Sequence, residues 1–217
     1  MAIRLPNHFE SQNRTAVLKA ERPVDFTQWV GLVPPDELAG QLTSRNFLVT
    51  FSRVLSTINS ESSIAYREVL VKVPVTYRGV DYLYPVLTWV DDEYSLIRGF
   101  LLGFHKRFIR EHNREEFVLD DGDTRLDLRG GHATDSATSG AFPASPRPFL
   151  LHASFAVGDV EVDRINSLDV RNYELLRSQT VTGVTQPQTI LGITATPTHV
   201  GETLDRFDVV GILSLTQ

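Results

Sequence analysis

The chain has 217 residues, of which 41% are hydrophobic and 22% charged, and a net charge of -6. A chain of this size and composition supports a folded core and is not a disordered polymer, and its acidic balance argues against a general nucleic-acid binder. It has no cysteine, which removes disulfides, thiol nucleophiles and cysteine zinc sites together. No apolar run reaches the roughly 18 residues a spanning helix needs. The opening MAIRLPNHFESQNRT has no apolar stretch of the secretory kind. The reading is a single domain over residues 1–217, working in the cytoplasm and away from membranes and nucleic acid.

In chain order, Pro35–Leu42 reads as a helix, because proline and two acids open it. Asn46–Val54 reads as a strand. Tyr66–Tyr77 alternates with period two, with Val69, Val71, Val73 and Val75 on one face and Tyr66, Glu68, Leu70 and Lys72 on the other. Arg78 and Gly79 make a turn, and Val80–Val90 returns as the partner strand. Pro74 and Pro85 favour an edge or a bulge in this hairpin. Asp91–Phe100 reads as a helix capped by aspartate. A second hairpin joins Phe117–Leu119 to Thr124–Leu128 across Asp120, Asp121, Gly122 and Asp123. Residues 130–148, rich in Gly, Ser, Thr and Pro, read as a long flexible loop or lid. Phe149–Val157, Gln179–Val184, Thr189–Ala195 and Phe207–Leu215 read as strands, and Leu168–Arg177 as a third helix. The fold class is mainly β (α+β), antiparallel, with a few short helices.

Of 21 basic residues only three are lysines: Lys19, Lys72 and Lys106. Amine chemistry therefore has few candidates. Lys106 lies in RGFLLGFHKRFIREHNR, among Leu101, Leu102, Phe104 and Phe108 and beside His105 and Arg107. An amine buried among apolar groups and other cations loses its proton readily. The neutral amine can attack a ketone and form a Schiff base. A plainer reading of the same segment is a solvated basic face. Lys72 reads as an ordinary strand lysine. Glu68 shares its face, which is either exposed or, in a closed barrel, turned to a cavity. The six histidines show no metal-binding spacing, and the aspartates around Gly122 are explained by a hairpin turn. No phosphate loop, dinucleotide fingerprint or nucleophile elbow is present, so no metal and no cofactor are expected.

Tyr66-Arg67-Glu68 runs into Val73-Pro74-Val75, followed by Asp81-Tyr82-Leu83-Tyr84, then Val90-Asp91-Asp92-Glu93, and finally Arg98-Gly99 with Gly103-Phe104-His105-Lys106-Arg107. On these features residues 14–110 resemble the acetoacetate decarboxylase superfamily. Leu32-Val33-Pro34 matches a short Val-Pro element upstream. The resemblance implies a cone-like antiparallel β-barrel and a homo-oligomer. It also implies a cofactor-independent Schiff-base lyase acting on a small oxo acid. Lys106 falls on the nucleophile, Arg107 on the second lysine of the motif and Glu68 on an active-site glutamate. Arg14 matches the family's arginine; with Arg98 it is a candidate for holding a substrate carboxylate. His105, a further substrate-binding candidate, stands where the family usually has proline. Decarboxylation of a β-keto acid is favoured over aldolase-dehydratase chemistry on 2-oxo acids through the same lysine. A non-catalytic small-molecule binding protein is the reading from outside enzymology.

Overall fold

The computed structural model describes residues 7–30, 34–58, 62–109, 111–113, 118–120, 125–127, 142–143, 147–181 and 188–209. The strands are β1 (Asn7–Asp25), β2 (Thr43–Ile58), β3 (Ser62–Tyr77), β4 (Val80–Val90), β5 (Lys106–Phe108), β6 (Glu111–Asn113), β7 (Val118–Asp120), β8 (Arg125–Asp127), β9 (Phe149–Val157), β10 (Val160–Leu168), β11 (Asn172–Thr180), β12 (Gln188–Ile190) and β13 (Ile193–Val209). Among the described residues two helices, α1 (Asp36–Ala39) and α2 (Glu93–Leu102), complete them, with a 3₁₀ turn at Thr27–Trp29. The aspartate-rich turn at 121–124, residues 32–33, the strand ends beyond 181 and 209, and 130–148 other than Phe142, Pro143, Arg147 and Pro148 lie outside the described residues.

One large sheet runs in the order β10-β9-β4-β3-β2-β1-β13-β11, with β12 on β13 and β5 on β4; β6, β7 and β8 form a small separate sheet. The β3–β4 hairpin closes with Tyr77 opposite Val80. Arg78 and Gly79 both take positive φ, 51° and 77°, the pairing a two-residue turn matched to strand twist requires. β3 and β4 are central strands, so Pro85 does not sit at an edge. It lies beside a bulge instead, where the register slips between Val71 and Lys72.

The central strand β3 is buried on both faces. Val69, Val71, Val73 and Val75 pack with Phe47, Val49 and Phe51 of β2, Trp89 of β4, and Leu38 and Leu42 around α1. The opposite face of β3 sends Tyr66 and Leu70 into a second cluster with Phe9, Val54, Leu102 and Phe104. Each such side chain is worth roughly 1.5–3 kcal/mol when fully buried, so both faces of β3 are fixed.

A closed, cone-like barrel is not confirmed: among the described residues the sheet's end strands β10 and β11 do not pair with one another. β10 carries Glu161, Asp163 and Arg164, and β11 has a register shift between Leu175 and Arg177. Charged residues and bulges are devices that keep edge strands from joining. Leu168–Arg177 is not a helix: it completes β10 and enters β11, which pairs along β13 from Asn172↔Arg206 to Thr180↔His199. The long-range ladder outweighs local helix propensity there.

Candidate active site

α2 and β5 deliver the amine. Asp92 caps α2 by accepting from the Ser95 N–H at 2.6 Å. The helix ends where Gly103, left-handed at φ 102°, and Phe104 both donate to the Gly99 carbonyl, at 3.1 and 2.9 Å. The chain then turns back, so Lys106 lies opposite Thr88 in a parallel ladder with β4. This brings the Lys106 side chain back across α2. A Cβ on Gly99 would stand 2.2 Å from Lys106 Cε and 2.5 Å from Cδ. Only glycine leaves room for that aliphatic stem.

The Lys106 ammonium donates to Glu68 Oε2 at 2.9 Å and to Ser95 Oγ at 3.0 Å. Its side chain is 5% exposed and that of Glu68 14%. The amine lies 5.4 Å from the ring centres of both Tyr66 and Phe104. Burial is the main cause that raises the Tyr66 phenol above its ordinary range; the charge of Glu68 adds to it, while Arg98 and Ser95 pull the other way. Two residues brought together from distant stretches, Glu68 and Lys106, thus form one hydrogen-bonded pair.

Glu68 and Phe104 line a cavity of about 60 Å³ on the inner face of the sheet; Lys106 is not itself part of the lining but is hydrogen-bonded to Glu68, which is. That is room for a few water molecules or a small ligand. Its wall is largely apolar, and one side of it carries polar groups: Ser11, Asn13 and Thr15 from β1, Thr50 and Ser52 from β2, Glu68 and Lys72 from β3, Thr203 and Asp205 from β13. Asn13 organises much of it. Its Oδ1 accepts from Ser11 and Ser52, each at 2.6 Å, and its Nδ2 donates to Asp205 Oδ2 at 2.8 Å. Burial raises the Asp205 carboxyl, against the hydrogen bonds from Thr203 and Asn13 and the charge of Lys72.

Lys72 corrects the expectation of an ordinary strand lysine. It is 5% exposed and lines the cavity. Burial, its dominant cause, pushes the ammonium down to about 8, with Asp205 and Glu68 opposing. The alternation of β3 put Glu68 and Lys72 on one face, but no composition rule said that face was closed from solvent.

The other candidate residues lie elsewhere. Arg14 points away from Ser11, Asn13 and Thr15, as strand alternation requires, and sits 3.7 Å from Glu202. Arg107, next to Lys106 on β5, is exposed on the far side of the strand. Arg98 is buried but does not line the cavity: it donates to Ser56 Oγ at 2.8 Å and Tyr66 Oη at 3.5 Å, and lies over the Phe9 ring at 4.6 Å. It braces Tyr66 rather than facing the pocket. His105 packs near His152; burial first, then the His152 charge, lower it, against a backbone hydrogen bond. Ser95 and Asp205 carried no recognisable signal in the sequence. Among the described residues no three His, Asp or Glu converge as a metal would require.

Two lines of likeness bear on this site. The acetoacetate decarboxylase family matches residues 15–132, and the chain belongs to that family. No curated protein sequence matches it. Among solved structures it is similar to an acetoacetate decarboxylase-like enzyme from Sphingomonas wittichii RW1, at 15% identity over 97% of this chain and 95% of that one, with a TM-score of 0.63. It is similar to the enduracididine biosynthesis enzyme MppR complexed with pyruvate, at 14% identity over 97% and 91%, TM-score 0.63. It is also similar to acetoacetate decarboxylase from Legionella pneumophila, at 14% identity over 98% and 90%, TM-score 0.59. At such identities the likeness is one of fold.

Proposed function

We propose that this protein is a cofactor-independent, Schiff-base-forming lyase acting on a small oxo acid, with Lys106 as nucleophile and Glu68 as its proton partner. The observation that carries the reading is the buried Lys106 amine, 2.9 Å from the carboxylate of Glu68 at the wall of a small cavity. Membership of the acetoacetate decarboxylase family supports it.

The Lys106 ammonium passes a proton to Glu68, and the freed amine attacks the substrate carbonyl carbon. The carbinolamine takes that proton back on its oxygen and loses water, leaving an iminium on Nζ. The iminium is an electron sink. If a β-carboxylate leaves, its C–C bonding pair forms an enamine and carbon dioxide departs; the enamine takes a proton at carbon, and water hydrolyses the imine. Ser95 Oγ, 3.0 Å from Nζ, holds the amine during these steps.

A second reading, aldol or dehydratase chemistry through the same iminium, is favoured by the buried cation Lys72 in the cavity, which suits a substrate that keeps its carboxylate. Incubation with acetoacetate or pyruvate and borohydride, followed by peptide mass mapping, tests the lyase reading. An adduct confined to Lys106 supports it. With no adduct from either acid, the Lys106–Glu68 contact is a structural ion pair, and the cavity belongs to a binding protein.

A further inference from the structure

We infer that Lys72 is the residue that anchors a substrate carboxylate, and that the carboxylate it holds is retained through the reaction. This rests on the Schiff-base reading above for its chemistry, but not for its binding.

The argument begins with an aromatic wall. The Phe104 and Phe149 rings meet at 6.0 Å. The Lys106 amine lies 5.4 Å from the first ring centre and the Lys72 amine 5.3 Å from the second. Each amine therefore stands against one of two touching rings, an apolar surface that can take the carbon skeleton of a small acid. The first amine has partners: Lys106 holds Glu68 and Ser95. Among the described residues, Lys72 makes neither a hydrogen bond nor an ion pair, although its side chain is nearly fully buried. A buried cation is costly unless an anion comes into contact with it.

The cavity's charge points the same way. The charged side chains at its wall are Glu68, Lys72, Arg147 and Asp205, two acids and two cations, and Glu68 is already paired with a further cation, Lys106. Asp205 is already engaged by Asn13 through Oδ2, and burial favours its neutral form. The balance suits an anionic ligand at Lys72. Arg14 and Arg98, the residues the sequence offered for this task, are both directed elsewhere.

Retention follows from the chemistry. In decarboxylation the departing carboxylate gives up its negative charge to the iminium. An ammonium bound to that group stabilises the ground state more than the transition state and slows cleavage. A carboxylate at Lys72 is therefore a handle and not the leaving group. The substrate class is a 2-oxo acid undergoing aldol or dehydration chemistry, or an oxo diacid that loses its other carboxylate.

The test compares pyruvate with acetone, an anionic and a neutral carbonyl, as borohydride-trapped adducts on Lys106 in the full chain and in Lys72→Met and Lys72→Gln. The half-saturating concentration of pyruvate relative to acetone is expected to rise at least tenfold in both variants. An unchanged ratio overturns the assignment and leaves the Schiff-base reading standing. If the native protein traps neither probe, the Schiff-base reading fails, and the anchor is decided by thermal protection: pyruvate raising the melting temperature of the native chain and not of the variants supports it, and equal or absent protection overturns it. If neither variant folds, native binding of pyruvate against its neutral amide decides. A tenfold preference for the acid supports the anchor, and equal binding overturns it.

Discussion

Gly99→Ala separates the position of the amine from the stability of the fold. The new methyl would meet Lys106 Cε at 2.2 Å, Cδ at 2.5 Å and Nζ at 3.0 Å. Carbon atoms do not approach so closely, so the lysine stem has to retreat by about 1 Å, a misplacement that costs a positioned reaction about 10²-fold. The displaced group is the far end of a flexible chain, so the backbone need not move. Alanine in place of glycine inside α2 gains about 1 kcal/mol of helix propensity. The weakened charged hydrogen bonds to Glu68 and Ser95 lose about 1.5–3 kcal/mol. The net cost is about 0.5–2 kcal/mol, or a melting temperature lower by roughly 1–8 °C in a chain of this length. The variant is therefore expected to fold cooperatively while borohydride trapping at Lys106 slows about 100-fold. Thermal melts and adduct mass spectrometry on one preparation measure both quantities. Trapping at the native rate in a folded Gly99→Ala would refute the claim that the glycine cradle sets the amine's position.

Further outcomes follow from the same geometry. Lys106→Ala and Lys106→Arg both lose the adduct, since a guanidinium stays protonated, whereas Lys19→Ala, altering an exposed strand residue, keeps it; an adduct on Lys106→Arg would end the imine mechanism. Glu68→Gln keeps the hydrogen-bonding shape but not the proton acceptor, so the rate of imine formation drops about 10²–10⁴-fold with a smaller change in half-saturation; a native rate by stopped trapping contradicts the role. Lys72, whose folded pKa of about 8 lies below its unfolded value, binds fewer protons folded than unfolded between pH 8 and about 10.4. Stability attributable to it rises with pH across that window, so the advantage of Lys72→Met over the native chain in urea unfolding shrinks by on the order of 3 kcal/mol from pH 7 to pH 10; an advantage independent of pH would contradict the burial argument.

The parts of the fold visible in the sequence are those where one face is apolar and the other is not. Tyr66–Tyr77 announced itself because four valines alternate with bulkier or charged residues, and its partner Val80–Val90 because Arg78 and Gly79 fix a two-residue turn. β9 was legible from an apolar run. β1 was not among the strand-like runs, although it is 19 residues long and pairs on both sides. Its inner face carries Ser11, Asn13 and Thr15, so the period of two in hydropathy is erased where the strand lines the cavity. β11 failed for a related reason. Its Leu175 and Leu176 are exposed and adjacent, which mimics the crowding of a helix face, and only pairing with β13 decides the matter.

The same inner wall explains why the site was half legible. Lys106 and Glu68 stood out because each lies in a short motif of unusual chemistry. Asp205 lies 99 residues beyond Lys106, in a strand whose local pattern is unremarkable, and it acquires meaning only when β13 pairs with β1 and sets Asp205 beside Asn13 through the ladder contact Ser11↔Asp205. Lys72 was visible but misjudged, because a charged residue on an alternating strand is indistinguishable from a solvated one until the second face is known to be covered. The cover comes from groups remote in sequence, among them Phe149, Leu168 and Phe207. A strand pattern therefore reports which residues share a face, but the chain's distant parts decide whether that face meets water. In this chain that decision turns one ordinary lysine into a buried cation and one polar strand into the wall of a cavity.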